Sequence, residues 1–551
     1  MPNAMLLIDV RPPSASIISP CGTVRTDTRK FLPLLFDRFF DAIGHWARET
    51  PDAPATWFGG ETRTYGQVAD SVDAFARALA GWGVRKGDVV AVLTTSRPEF
   101  LVALAGIHKA GAVYVGINPN YTQREQLHVV SDSRPVMILS LASFGGRGYA
   151  DDVAALASAV DSVRATFRLD EGPASGCLAP VGDLLARAAG VTVTALPAID
   201  RMDPSTIVYT SGSSGAPKGA VLPHYGIAYG AHCDAREMAV PTPRVMCNLP
   251  ANHLGCIVDV QGSTIVSGGM VAYSEKFDPA EMLRLVEELR LTNLQHVPTV
   301  LQLVAMHPDF ATTDLSSLRI VAWGGAAMPL EFVRTYQELG VRLFTIYGMT
   351  ETCGNATFSG PDDTAEELAT TVGRPNPDAD VIVADDDGNE VPPGEEGEVW
   401  YRHEAKLLRY LNNPAATAAV LTPDGFLRTG DIAVRLPGGH LRLVGRKSEM
   451  FKSGGLNVYP REIEMVLEEH PAVAIAAVVS VKDPVYSEVG AAYVVCEPGT
   501  SAGPEELRAW CKERLAGYKV PKTFETRDDL PLLPIGKVDK QALRRSHPAG
   551  G

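Results

Sequence analysis

The sequence predicts an α/β protein with a large N-terminal domain of several subdomains and a small α+β unit at the C-terminal end. Three observations carry this. At 551 residues the chain is too long for one hydrophobic core, so two or more domains are expected. Its first half alternates short apolar runs with segments of helical spacing, the pattern of parallel strands joined by helices. Past Arg446 comes a unit of roughly a hundred residues with its own helices and strands, within the usual size of a domain.

Taken in order, residues 1–30 mix Pro, Ser and Thr and read as an irregular arm. Residues 31–447 form the large domain. Val68, Val72, Phe75 and Leu79 recur at helical spacing, with Gly81 and Gly83 closing that helix. Val89–Leu93 is a buried-strand run, Phe100 to Ile107 the next helix, and Ala112 to Gly116 the next strand. Asn118 to Thr122 reads as a turn and helix cap. Residues 141–200 are expected to continue the same architecture without nameable chemistry. After 448 the apolar positions Ile463, Val466 and Leu467 mark a helix, 472–479 and 490–496 read as strands, and 505–515 as a helix.

Hydrophobic residues make up 45% of the chain and charged residues 21%, an ordinary globular balance. The formal net charge of −15 argues against nucleic acid or an anionic membrane surface as partner. The eight cysteines are scattered without a CxxC pair, which speaks against a zinc or redox motif and for a reduced, cytoplasmic protein. The N-terminal stretch has only a short apolar run at Met5 to Ile8, and no segment reaches the length of a membrane span.

The chemistry centres on Tyr209-Thr-Ser-Gly-Ser-Ser-Gly-Ala-Pro-Lys-Gly219, which follows the strand-like run Thr206 to Thr210. Thr210, Ser211, Ser213 and Ser214 offer hydroxyls. Gly212 and Gly215 let backbone N–H groups turn toward an anion, and Lys218 adds a mobile charge. This suits a polyphosphate better than it suits a flexible linker. It is not a Walker A loop: Gly212 and Gly215 are too close together, and Gly219 rather than Ser or Thr follows the lysine.

Further signals follow in order. Pro250 and His253 lie just past the strand-like run 245–249, where ligands bind in α/β sheets. Trp323 ends a strand that opens into Gly324, Gly325 and Ala326. Tyr347 and Gly348 lead to Thr350 and Glu351. An acidic side chain beside a phosphate site is explained by Mg²⁺, which prefers carboxylate and phosphate oxygens. Thr350 and Glu351 also suit the start of a helix as cap and first-turn acid. Thr371 to Pro375, Tyr410 to Thr417, and Thr429-Gly-Asp431 come next, then Arg446. Asp431 is suited to accept hydrogen bonds from the vicinal hydroxyls of a ribose. Near the end stands Lys537, after Pro534-Ile-Gly536.

This ordered set resembles the adenylate-forming enzymes: acyl-CoA synthetases, aryl-CoA ligases, luciferases and peptide-synthetase adenylation domains. It is most similar to the carboxylic acid–CoA ligases, over about residues 36 to 545. The resemblance implies a large N-terminal adenylate-binding domain and a small C-terminal lid, residues 448–551, that swings on a hinge. It places the ATP/AMP contacts at Thr210 to Gly215, Lys218, Gly325, Ala326, Tyr347, Gly348, Thr350, Asp431 and Arg446, with Mg²⁺ on Glu351. It makes Lys537, Thr350, Glu351 and His253 the catalytic set. It also implies an acyl pocket with His253, Gln295, Trp323 and Gly324, to which His296 is a neighbour, and CoA contacts at Lys452, Gly454, Gly455 and Asn457.

The implied reaction joins a carboxylic acid (aryl, alicyclic or medium-chain) to CoA through an acyl-adenylate, consuming ATP. The sequence departs from the family pattern in two places. Arg409 precedes Tyr410 where a glycine is usual, and Ser448 stands at the hinge where Asp or Lys is common. These departures keep open a chain that performs only one half-reaction. Loading of a stand-alone carrier protein is the second acceptor reading, and a non-enzymatic adenylate-binding protein is the last. Either a monomer or a homodimer is compatible with the sequence.

Overall fold

The computed structural model describes residues 35–189, 195–210, 217–532 and 538–547, and the expected arm at 1–30 lies outside them. Two large sheets form the first part of the chain. In one, Val89–Leu93, Val113–Ile117, Met137–Ser140 and Ala165–Arg168 run parallel, and Pro204–Thr210 joins them beside Val113–Ile117. Each central strand is a nearly unbroken apolar run buried on both faces, as parallel sheets require. The stretch least legible in the sequence supplies the helix Ala150–Ala159 and the strand Ala165–Arg168, which continue this sheet.

Among the described residues the second sheet has nine strands. Arg244–Cys247, Met270–Tyr273, Asn293–His296, Ile320–Gly324 and Arg342–Met349 form its parallel centre. Beyond them Gly354–Phe358 turns back antiparallel. A third, four-stranded antiparallel sheet contains Asp380–Ala384, Glu396–Arg402, Leu427–Arg435 and Leu441–Arg446.

Local chemistry explains the helices between the sheets. Tyr65–Trp82 starts at Thr64, whose hydroxyl accepts from the Gln67 N–H while the Gln67 side chain accepts from the Thr64 N–H. Val68, Val72, Phe75 and Leu79 form its buried face. Gly83, at φ 102°, closes it, whereas Gly81 lies inside the helix. The helix His224–Met238 packs backbone-on-backbone against the turn after Met349. A Cβ on Gly230 would run into the Cys353 carbonyl, so only glycine permits this approach.

The C-terminal unit begins its own sheet at Phe451–Ser453 and pairs it with the long hairpin Val473–Asp483 and Ser487–Cys496. Helices Pro460–Glu468 and Pro504–Arg514 cover it with a separate core of Ile463, Leu467, Val478, Val494 and Leu507. Among the described residues no helix is long and apolar enough to cross a membrane.

Candidate active site

The strand Pro204–Thr210 and the strand Lys218–Pro223 form an antiparallel hairpin in which Thr210 stands opposite Lys218. The loop therefore starts and ends at one point, on a strand rather than at a helix N-terminus as in a Walker A motif. Ser211, Gly212, Ser213, Ser214 and Gly215 fall outside the described residues. Arg409–Tyr410 pairs with the second strand, Tyr410 opposite Ala220, and Lys218 Nζ lies 5.6 Å from the centre of the Tyr410 ring.

Glu351 stands at the centre of this arrangement and is 4% exposed. The Tyr410 hydroxyl donates to its Oε1 at 2.7 Å, and the Thr210 hydroxyl donates to the same oxygen at 3.4 Å. Burial and the neighbouring carboxylate push the Tyr410 phenol up, so it stays protonated and remains a donor. Among the described residues Oε2 has no hydrogen bond. A buried anion with one open oxygen beside a phosphate-type loop fits a divalent cation.

The turn itself differs from a helix start. Thr350–Thr352 is a single 3₁₀ turn, and Gly354–Phe358 follows directly as a strand. Cys353, at φ 58°, makes the reversal, and Thr352 Oγ1 accepts from the Met349 N–H at 3.0 Å. Thr350 is buried within the turn, next to Glu351. A Cβ on Gly348 would meet the Gly354 carbonyl, so the two strands close tightly behind the carboxylate.

A second group lies on the neighbouring strand ends. Asp431 and Arg446 are cross-strand partners, with Arg446 Nε 3.0 Å from Asp431 Oδ1. The buried Tyr347 hydroxyl donates to Asp431 Oδ2 at 2.8 Å. Burial and Asp431 push this phenol up as well. Arg446 is 51% exposed, which leaves its guanidinium free to turn toward a ligand while Tyr347 fixes the carboxylate. Gly325 and Ala326 are exposed just past the strand Ile320–Gly324, on the same sheet as Tyr347. Ligands gather at such carboxyl ends of parallel strands.

The expected acyl contacts divide between two faces. His253 is exposed, and its Nδ1 accepts from the Gly255 N–H at 3.1 Å. Gln295 donates to the Met238 thioether, on the side of the helix His224–Met238. Trp323 is 1% exposed and packs with Leu301, Val304 and Met328 in the core on the other side of the sheet. Strand alternation is the cause: Trp323 is in register with His296, while Gln295 is in register with Ala322. Trp323 and Gln295 therefore point to opposite faces, and Trp323 is a core residue here. Gly324 is half-buried against Ile346. His296 Nδ1 accepts from the Val297 N–H, so the neutral ring donates through Nε2 to Asn248 Oδ1 at 3.0 Å. Burial lowers its pKa to about 4.

In the C-terminal unit, Lys452 and Asn457 are opposite each other in a short hairpin whose turn is Gly454–Gly455. All four are exposed, and the glycines have φ 58° and 85°, a left-handed pair that suits them. Ser448 lies in the exposed turn between Arg446 and the first strand of this unit. Lys537 lies outside the described residues, but Leu532 and Val538 on either side of it form a bridge. Tyr410, with its bond to Glu351, is a site residue that motif reading missed. Its position in the Tyr410 to Thr417 segment was the available signal.

A family model described as AMP-binding enzyme matches residues 43–411, and one described as AMP-binding enzyme C-terminal domain matches residues 462–537. The chain belongs to the AMP-binding enzyme family. Among curated members of this AMP-binding family, it is 36% identical over 508 residues to a feruloyl-CoA synthase of Amycolatopsis sp, covering 91% of this chain and 98% of that one. It is 34% identical over 514 residues to a Mycobacterium tuberculosis ligase that joins a methyl-dioxo-octahydroindenyl propanoyl group to CoA, covering 91% and 97%. Identity to an indoleacetate–CoA ligase of Aromatoleum aromaticum is 33% over 497 residues, covering 90% and 95%. Among solved structures, ATP-bound MatB from Rhodopseudomonas palustris superposes with a TM-score of 0.82 at 27% identity, covering 93% of this chain and 98% of that one. The Bacillus subtilis o-succinylbenzoate CoA synthetase with its acyl-adenylate intermediate gives 0.78 at 27% identity, covering 92% and 98%.

Proposed function

We infer that this AMP-binding enzyme is an ATP-dependent acid–CoA ligase that forms an acyl-adenylate and then an acyl-CoA thioester. The observation that carries the reading is the buried Glu351 carboxylate, tied to Thr210 and Tyr410 at the foot of the loop hairpin. Curated relatives that match nearly the whole chain are named for aryl, heteroaryl and alicyclic acids and for medium- and long-chain fatty acids, so the acid is of the aryl, alicyclic or aliphatic class.

In the first half-reaction the acid's carboxylate attacks the α-phosphorus of ATP, and pyrophosphate leaves. Lys218 and the loop 211–215 hold the phosphates, and Thr350 donates to the α-phosphate. Asp431 holds the ribose, with Tyr347 fixing the carboxylate and Arg446 turning to the nucleotide. Gly325 and Ala326 border the adenine, and Gly348 gives the phosphates room at the strand end. Glu351 would hold Mg²⁺, which neutralises charge on the phosphate oxygens. Lys537 bridges the attacking carboxylate and the α-phosphate as charge develops. The protein's work is positioning and electrostatics. His253, Gly324 and Gln295 face the acid.

In the second half-reaction residues 448–551 rotate about Ser448 and the CoA thiol displaces AMP. Gly454 and Gly455 leave room for the pantetheine arm, flanked by Lys452 and Asn457. The test is incubation with MgATP, CoA and a panel of aryl, alicyclic and fatty acids, reading acyl-AMP and acyl-CoA separately. Acyl-CoA that disappears with Lys537→Ala is the expected result. Thioester formed only from supplied acyl-adenylates would reduce the reading to one half-reaction, and no thioester from either would refute it.

A further inference from the structure

The two strand ends that bring Thr210 and Lys218 together are fastened to one face of one helix. The helix Gln123–Ser133 starts at Thr122, whose hydroxyl accepts from the Glu125 N–H while the Glu125 carboxylate accepts from the Thr122 N–H. On its buried side Val129 and Val130 pack with Ile207, Tyr209 and Val221 of the hairpin. His128 and Asp132 are four residues apart, so they stand one turn from each other on a shared face. His128 Nε2 lies 2.8 Å from the Pro217 carbonyl oxygen, in the peptide that joins Pro217 to Lys218. A carbonyl only accepts, so Nε2 carries the proton and donates. Asp132 Oδ2 accepts from the Tyr209 hydroxyl at 2.7 Å, one residue before Thr210. The His128 ring also meets the Tyr209 ring edge-on, with centres 5.8 Å apart.

The same helix also holds the third strand of this arrangement. Asn412 Nδ2 donates to the Asp132 backbone carbonyl at 2.9 Å and to Asp132 Oδ1 at 3.1 Å. Asn412 follows the strand Arg409–Tyr410, whose Tyr410 hydroxyl donates to Glu351. Its φ of 50° is left-handed, a conformation that asparagine accepts more readily than most residues. Stability does not call for these polar contacts. The apolar side of the helix already joins it to the hairpin, His128 and Asp132 are half-buried, and Asn412 is exposed, where a hydrogen bond contributes little to folding. What the contacts add is placement. Strand ends fray unless they are tied, and a misplacement of about 1 Å beside reacting groups costs about 10²-fold in rate.

We propose that His128 and Asp132 are positioning residues for ATP, which set the separation and direction of Thr210 and Lys218 where these meet the triphosphate. This deepens the ligase reading and rests on it. His128 fixes the backbone that carries Lys218, and Asp132 fixes the backbone that carries Thr210 and the strand that carries Tyr410. The helix is rigid over one turn, so the three elements keep one spacing. The demand for that spacing ends with the first half-reaction, because the acyl-adenylate has lost its pyrophosphate.

The test compares His128→Phe, which keeps a ring against Tyr209 and removes the donor, with His128→Gln, which returns an N–H to nearly the same place. On the full chain, calorimetry reads the binding of α,β-methylene-ATP with Mg²⁺. Acyl-AMP formation from ATP and thioester formation from supplied acyl-adenylate are measured apart. His128→Phe is expected to weaken analogue binding and to lower kcat/KM for ATP by about tenfold or more, with thioester formation from the adenylate within about twofold of wild type. His128→Gln should recover most of the loss, and Asp132→Ala should act in the direction of His128→Phe. Equal slowing of both half-reactions together with a lower melting temperature would mark a merely structural role and overturn the proposal. Unchanged analogue affinity in His128→Phe, or no analogue binding by the wild type, would overturn it as well. Absence of acyl-AMP from every acid, with the analogue still bound, would refute the ligase reading instead, and the calorimetric ratio would still decide this one.

Discussion

The Glu351 carboxylate receives both of its described hydrogen bonds on one oxygen. Glu351→Gln keeps the shape and removes the charge. Acyl-AMP formation is expected to fall about 10²- to 10³-fold, the usual loss when one transition-state contact is deleted. Its Mg²⁺ dependence should weaken in the same titration, and an unchanged dependence would remove Glu351 from metal binding. Tyr410→Phe removes a hydrogen bond to a buried anion. It should destabilise the fold by about 2 kcal/mol in denaturant unfolding, the range for bonds to charged groups. Glu351 was legible in the sequence because Gly348-Met-Thr-Glu351 follows a strand. Tyr410 was not, because its contact with Glu351 closes only when the strand Arg409–Tyr410 pairs with Lys218–Pro223.

Elements carry predictions of their own. Gly230→Ala pushes a methyl into the Cys353 carbonyl and shifts the turn that holds Glu351. Overpacking of this kind costs about 1–3 kcal/mol. Acyl-AMP formation should drop at least as sharply as the melting temperature, and a variant with full activity would show that the turn tolerates the shift. Another element effect appears in acid. His224, at the start of the same helix, packs its ring 5.1 Å from that of His108, and burial holds its pKa down at about 3. Its folded-state pKa lies below the unfolded value of 6.5, so the unfolded chain binds the proton more readily. Stability is full above that value and is lost as the pH falls toward about 3, at about 1.4 kcal/mol per pH unit. Unfolding curves of His224→Gln should lose that slope relative to the wild type.

At the scale of the whole molecule, the two domains meet through the turn Lys447–Glu449. Lys540, three residues past Lys537, pairs with Glu449 at 2.6 Å and with Glu464 at 2.8 Å. The C-terminal helix is therefore anchored both to the turn Lys447–Glu449 and to the helix Pro460–Glu468. Ser448→Pro would stiffen that turn. Domain movements of this kind gate successive steps. The two half-reactions should separate, one slowed on the order of 10²-fold more than the other, when acyl-AMP formation and thioester formation from supplied adenylate are measured apart. Equal slowing of both would count against a hinge at Ser448.

The sequence by itself determined the α/β class, the order of its motifs and the membership of the AMP-binding enzyme family. Each rests on local spacing: apolar runs for the parallel strands, Gly83 for a helix end, glycines and hydroxyls for the loop after Thr210. Tertiary structure alone decided which side chains share a face. Trp323 and Gln295 are both near strand ends in sequence, yet strand register sends them to opposite sides. Asp234 and Asn355 are far apart along the chain and hydrogen-bond where glycines let a helix and a strand pack backbone to backbone. Periodicity along one segment carries the first kind of information. Register and close packing between segments carry the second.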